Sequence, residues 1–419
     1  MDFARWRRSL PGYLGVLCCA GLVAASCSST PSTTTPSPKS KKTSVPATAL
    51  EVTLLDKIAS PEFGVLRKVT DKVTDKGISH SSSLLTTRNF SQYQAISLPT
   101  APNRPTTRLV ALSASFPTTE NGWVVASTRD ESAGYLLHTV DGGAQWSTPE
   151  PVWVGSGGTG QVDFLNTQDG WLLAGNPAAQ GVSFQATTDG GSTWSVLPVP
   201  AFSSFFNGAL VFTTPTDGFA VAPNTGTILS RPVMEKTENG GRSWTAATVP
   251  GLPSSTATME QPQFFGAVGV LPIVIVSKGS HTVKVLFDIS QDKGATWKTG
   301  VTRVIGAQPI QSTSGTGAYE APVSVSVANG SSWWIAGASA SGTWLVYRTS
   351  DAGRNWNVVD SGSGLPNVRQ RLATGIEGLG NLQAVNGSQA LFTVQVAPTE
   401  NVTYVTADGG REWSVGTFG

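Results

Sequence analysis

Beyond its first fifty residues the chain alternates short apolar runs with clusters of Gly, Asn, Asp, Ser and Thr. The runs Val124-Val125-Ala126, Leu172-Leu173-Ala174 and Ala220-Val221-Ala222 each follow a Gly-aromatic pair, Gly122-Trp123, Gly170-Trp171 and Gly218-Phe219. Six residues before each Gly stands a Phe (Phe116, Phe164, Phe212), and polar turn residues fill the interval. This pattern predicts a first strand, a tight turn and a second strand. Trp334-Ile335-Ala336 supplies the second-strand part again further on.

A longer period overlies the short one. Val140–Trp146, Thr188–Trp194, Glu238–Trp244, Gln291–Trp297, Ser350–Trp356 and Ala407–Trp413 align without gaps. In each, an acid or its amide (Asp141, Asp189, Asn239, Asp292, Asp351, Asp408) precedes a tryptophan (Trp146, Trp194, Trp244, Trp297, Trp356, Trp413) by five residues, with Gly two after the acid. The chemistry is that of a turn: the carboxylate accepts from turn amides, Gly supplies positive φ, and Trp packs beside the next strand. A degenerate copy lies upstream. Leu84 to Asn89 lines up with Leu136 to Asp141, which puts Asn89 in the acid position and Gln94, next to Tyr93, in the Trp position. Ile58, six before Gly64, takes the place of the Phe. Seven copies between about residues 50 and 418 leave about 53 residues each, enough for four strands and their loops. The alternative is six copies behind an irregular N-terminal cap.

These segments resemble the Asp-box, or bacterial neuraminidase repeat, of β-propellers, a superfamily that includes sialidases, xyloglucanases, sortilin-type receptors and the photosystem II assembly and stability factors. Phe and Gly-Trp at this spacing before each box look most like the last of these. The resemblance implies an all-β propeller of seven four-stranded blades over residues 47–419, with the boxes as structural turns between third and fourth strands, away from the axis. It implies no photosynthetic role.

The N-terminus reads as an address. Arg5, Arg7 and Arg8 precede an apolar stretch, Tyr13 to Ala25, too short for a settled membrane span. Val23-Ala24-Ala25-Ser26-Cys27 resembles a bacterial lipobox, with Ala24 where Leu is usual; this implies removal of residues 1–26 and acylation of Cys27. An ordinary signal peptide cut near Ala25 is the alternative, and Arg7-Arg8-Ser9-Leu10 hints at twin-arginine export. Residues 28–46 are Ser, Thr, Pro or Lys except Val45, so residues 27–46 form a disordered tether holding the propeller off a membrane. All three cysteines lie in the first 27 residues, which leaves none for disulfides, thiolate metal ligation or nucleophilic catalysis in the folded part.

Charge narrows the function. Only 13% of residues are charged, against about 25% ordinarily, and 28 basic residues balance 27 acidic ones. A duplex binder needs a basic surface, so nucleic acid is not the expected partner. His80, His138 and His281 are far apart, and neither a metal nor a cofactor is expected. Long connections at 250–262, 303–321 and 360–380 follow the fourth strands of three consecutive blades, and 222–233 joins a second strand to a third. They carry Glu260, Tyr319, Glu320, Arg369, Arg371 and Glu377, the candidate ligand face. Trp153, Phe202, Phe205 and Phe206 fall in shorter loops of that face, as ligand contacts or as plugs between blades. The expected function is non-catalytic: a monomeric, extracytoplasmic, lipid-anchored platform binding a protein or glycan. The alternative is a glycoside hydrolase, sialidase-like or xyloglucanase-like. The arginine motif of sialidases is missing, Tyr319 and Glu320 are adjacent and so would point to opposite faces of a strand, and Glu260 with Glu320 is the pair that could converge.

Overall fold

The computed structural model describes residues 48–418 apart from 60–61, 75–76, 103, 177–180, 201–208, 223–231, 254–256, 277–282, 306–309, 312–318, 321–322, 339–343, 361–364, 366–379 and 398–399. The described residues form no α-helix, and none is long and apolar enough to cross a membrane. They form seven antiparallel blades of four strands around an axis. Blade 1 is Thr48–Ala59, Glu62–Thr74, Gly77–Thr87 and Gln94–Ile96. Blade 2 is Val110–Ser115, Gly122–Ser127, Ala133–Thr139 and Glu150–Val154, and blade 3 is Thr159–Phe164, Gly170–Asn176, Gly181–Thr187 and Ser195–Leu197. Blade 4 is Ala209–Phe212, Gly218–Ala222, Val233–Thr237 and Thr245–Ala246. In blade 5 the first strand is split into Ala257–Met259 and Gln263–Phe265, before Val268–Val276, Val283–Ser290 and Lys298–Ile305. Blade 6 is Val323–Val327, Trp333–Ala338, Trp344–Thr349 and Asn357–Asp360, and blade 7 is Gly380–Ala384, Ala390–Ala397, Glu400–Thr406 and Ser414–Val415.

The turns between third and fourth strands explain the long period. A buried hydroxyl stands two residues before the acid in all seven copies: Thr87, Thr139, Thr187, Thr237, Ser290, Thr349 and Thr406. In blade 3 the Thr187 hydroxyl donates to Asp189 Oδ1 at 2.7 Å and accepts from the Gly191 N–H at 2.9 Å. Asp189 Oδ1 also accepts from the Thr193 N–H at 2.9 Å, so one carboxylate and one hydroxyl close the loop. Gly190 and Gly191 have φ of 71° and 86°, and where the first glycine is replaced, Lys293 and Ala352 take φ of 57°. In blade 1 the turn is one residue shorter. Asn89 Oδ1 accepts from the Ser91 and Gln92 amides as expected, but Tyr93, not Gln94, replaces the tryptophan. Its hydroxyl donates to the Phe90 carbonyl at 2.9 Å, as Trp413 Nε1 donates to the Gly410 carbonyl at 3.1 Å.

The short period builds the seams between blades. The Phe that ends a first strand covers the Gly opening the second: a Cβ on Gly122, Gly170 or Gly218 would collide with Phe116, Phe164 or Phe212. The other face of that Phe stacks on the Gly-Trp aromatic of the preceding blade, Phe164 on Trp123 and Phe212 on Trp171, each at 3.5 Å. The turn tryptophan then meets it edge-on, Trp194 on Phe164 at 6.0 Å and Trp244 on Phe212 at 6.2 Å. Blade 5 repeats this with Phe264 against Phe219 and Trp297, five residues before Gly269 instead of six. In blade 1, Lys57 rather than Ile58 lies opposite Gly64. Phe90 from the short turn covers Gly64 instead.

Each blade is continuous in sequence, so no strand is shared across the ring closure between blades 7 and 1. A parallel backbone bridge between Leu50 and Val402 joins the first strand of blade 1 to the third strand of blade 7, and side chains tie the rest of the closure. Thr403 accepts from the Val52 N–H at 2.8 Å, Thr393 donates to the Val52 carbonyl at 3.0 Å, and the two hydroxyls lie 2.8 Å apart. Gln383 pairs with both backbone groups of Leu54, at 2.7 and 3.1 Å. Val52, Leu66, Leu85, Leu391 and Phe418 pack beneath them.

Candidate functional site

First strands line the axis, and their polar side chains alternate. Ser113 and Ser115 accept from the Val162 and Phe164 N–H groups of the next blade at 3.3 and 2.9 Å. Gln161 brackets Leu210, accepting from its N–H at 3.0 Å and donating to its carbonyl at 3.1 Å, and Asp163 Oδ2 accepts from the Phe212 N–H at 2.8 Å. Ser324 and Ser326 do the same for Leu382 and Ala384 at 2.9 Å. These residues stand one and three before the Phe position, an alternation legible in the sequence but not singled out above. They spend their polar atoms on the next blade instead of presenting them to a ligand.

Glu260 is the exception. The sequence places it in a long connection; the structure places it at the break in the first strand of blade 5. Pro272, opposite, has no N–H to donate, so the ladder loses a bond there. Met259 pairs with Ile273 and Gln263 with Val270, which leaves three residues facing two, a bulge. The Glu260 N–H donates to the Pro272 carbonyl at 3.0 Å, and Gln261 Nε2 reaches the Leu210 carbonyl of blade 4, also at 3.0 Å. Burial pushes the Glu260 carboxyl up to about 7. Asp163 is pushed up to about 6 by burial, against the lowering effect of the Phe212 N–H.

Of the other candidates, Tyr319–Glu320 pairs with Ile310–Gln311 as a small hairpin in the connection from blade 5 to blade 6. Arg369, Arg371, Glu377, Phe202, Phe205 and Phe206 lie outside the described residues, as do Cys27 and His281. The Glu320 side chain lies outside the described residues, and with it the convergence with Glu260. Trp153 is not in a loop but in the outermost strand of blade 2, 3% exposed, packed with Val125, Val162 and Ala174 in the seam with blade 3. His80 and His138 lie in third strands.

These carboxyls set a pH dependence. A group whose pKa is raised by folding contributes stability in full below its unfolded value and loses it as pH rises through the folded one. Glu260 and Asp163 therefore favour the fold below about pH 4 and withdraw that support up to about pH 6–7. Asp189, Asp292 and Asp351 are lowered to about 2 by hydrogen bonds within their turns, so their contribution is lost as pH falls from about 4 to about 2. Thermal stability is expected to peak near pH 4–5 and fall toward pH 8. In Glu260→Gln the alkaline fall should shrink by about 1–2 kcal/mol, because half-burial discounts the full shift. An unchanged alkaline limb in scanning calorimetry would count against the assignment.

No family model matches the chain, and no curated protein is significantly similar to it. Solved structures are similar in fold. YCF48 from Cyanidioschyzon merolae is 16% identical, with 74% of this chain and 86% of that one covered and a TM-score of 0.41. A prolyl endopeptidase is 14% identical, with 88% and 50% covered and a TM-score of 0.52. The Hadza microbial sialidase Hz136 is 12% identical, with 74% and 66% covered and a TM-score of 0.40. At such identities the likeness is one of fold alone, and the chain is a seven-bladed β-propeller.

Proposed function

We propose that the chain is a non-catalytic, extracytoplasmic binding platform, anchored through acylated Cys27 and held off the membrane by residues 27–46. Its repeated turns are structural Asp-boxes. Its ligand is a protein or glycan, met on the face formed by the connections from fourth strands to the next blade. The observation that carries this reading is the axial wall, whose Ser, Gln and Asp side chains are committed to backbone groups of the neighbouring blade. Groups that hold a ring together serve a rigid scaffold. Cross-linking in whole bacterial cells should capture a partner with the full chain, and capture should fall when residues 306–321, the part of that connection beyond the fourth strand of blade 5, are cut to a four-residue turn. Cys27→Ala should move the protein from the membrane fraction to the medium or to uncleaved precursor. Membrane association unchanged in that variant would sink the anchor.

A second reading rests on Glu260. A carboxyl about half protonated near pH 7, placed at a bulge in an axial strand, suits a general acid of glycoside hydrolysis. Turnover of fluorogenic glycosides, abolished in Glu260→Gln, would favour it over the platform.

A further inference from the structure

The seam between blades 2 and 3 carries a notch of about 440 Å³, on the side of the first-to-second and third-to-fourth strand turns. That side is opposite the proposed ligand face, because connections alternate between faces in an antiparallel blade. His138 and Glu150 of blade 2 line it with Asn121, Gln168 and the turn Asp189-Gly190. Its inner wall is a stack. The His138 ring lies on Trp123 at 4.3 Å and 9°, and Trp123 lies on Phe164. Burial lowers the pKa of His138, so near neutrality the imidazole is uncharged. The lining otherwise carries two carboxylates, Glu150 and Asp189, and neither Lys nor Arg.

The repeat itself shows what such a space accepts. His138 pairs with Trp123 across second and third strands, as Arg348 pairs with Trp334 in blade 6, so the two residues are equivalent. In the seam between blades 6 and 7 the Arg348 guanidinium lies over Trp334, 5.5 Å from the ring centroid. Arg348 Nη1 rests against Gly409, where a Cβ would collide with it. Gly409 follows Asp408 as Gly190 follows Asp189. At one seam, then, the chain fills the position with its own guanidinium. At the other, the shorter imidazole stops on the indole, and the space beyond it is open and flanked by carboxylates.

We propose that the notch between blades 2 and 3 binds the guanidinium of an arginine side chain presented by a protein partner. The planar cation stacks on the neutral imidazole, with Glu150 as its carboxylate partner. This rests on the platform reading and selects a protein as a partner of this second face.

The test uses the full chain labelled with ¹³C-histidine, which gives only three imidazole signals, and with ¹⁵N-glycine to read the Gly190 amide. Nα-acetyl-arginine amide should shift the His138 imidazole and the Gly190 amide saturably, with a dissociation constant of about 1–20 mM, the range of a single small contact. The citrulline analogue, which has the same shape without the charge, should shift neither. Glu150→Gln should weaken the arginine response several-fold. His138→Arg should place an internal guanidinium in the notch, as in blade 6, and abolish the Gly190 response while circular dichroism and melting temperature stay unchanged. No response at about 50 mM arginine amide, well above the expected range, overturns the proposal. So does an equal response to citrulline, or a Gly190 response that survives in a folded His138→Arg. The probe reads the notch directly, so its failure would overturn the notch even where cells yield a captured partner.

Discussion

Trp334→Ala is expected to lower the stability of the propeller by about 3–5 kcal/mol, the range for truncating a buried aromatic. Trp334 is fully buried in the seam between blades 6 and 7, in a cluster with Trp344, Val346, Leu382, Phe392 and Trp413. Its Nε1–H donates to the Asn386 carbonyl of blade 7 at 3.2 Å, and Arg348 covers its ring. Alanine leaves a large cavity, removes the donor to the Asn386 carbonyl and leaves the guanidinium without its π face. Trp334→Phe keeps an aromatic face but loses the N–H and part of the ring volume, so it should cost less, about 1–3 kcal/mol. Urea unfolding measures both. If the two substitutions cost the same, packing of the seam is not what this tryptophan supplies.

Opening the ring at its closure should be nearly as damaging. Thr403→Val is expected to cost about 2–3 kcal/mol, because it leaves the buried Val52 N–H without an acceptor and Thr393 without its neighbour. Thr393→Val removes the donor to the Val52 carbonyl. The double variant should cost less than the sum of the singles, since the two hydroxyls bond each other. Hydrogen exchange should show the Val52 and Leu54 amides losing protection while the seam between blades 2 and 3 keeps it. Uniform loss of protection around the ring would mean that the closure has no stability of its own to lose.

Those two sites differ in how far the sequence announces them. The turns were legible because their bonds are local. Thr187, Asp189, Gly191 and Thr193 bond across two to four residues, so a fixed spacing carries the whole device. The same locality exposed Asn89 as a seventh copy, and with it seven blades. Phe116, Phe164 and Phe212 with their glycines were legible for a like reason, each pair spanning one tight turn. Where a turn lost a residue, spacing misled: the shorter turn of blade 1 brings Tyr93 where Gln94 was expected, and Phe90 where Ile58 was expected.

What the tertiary structure alone decided lies between blades. Phe164 meets Trp123, Gln161 meets Leu210 and Arg348 meets Gly409 across some forty to sixty residues of chain, and the lengths of the intervening loops vary. No local spacing encodes those contacts; the angle at which one twisted sheet leans on the next does. The same holds for Glu260. Sequence could place an acid after a fourth strand, but the missing N–H of Pro272, two strands of backbone and a neighbouring blade were needed to turn it into a half-buried carboxyl on the axial wall.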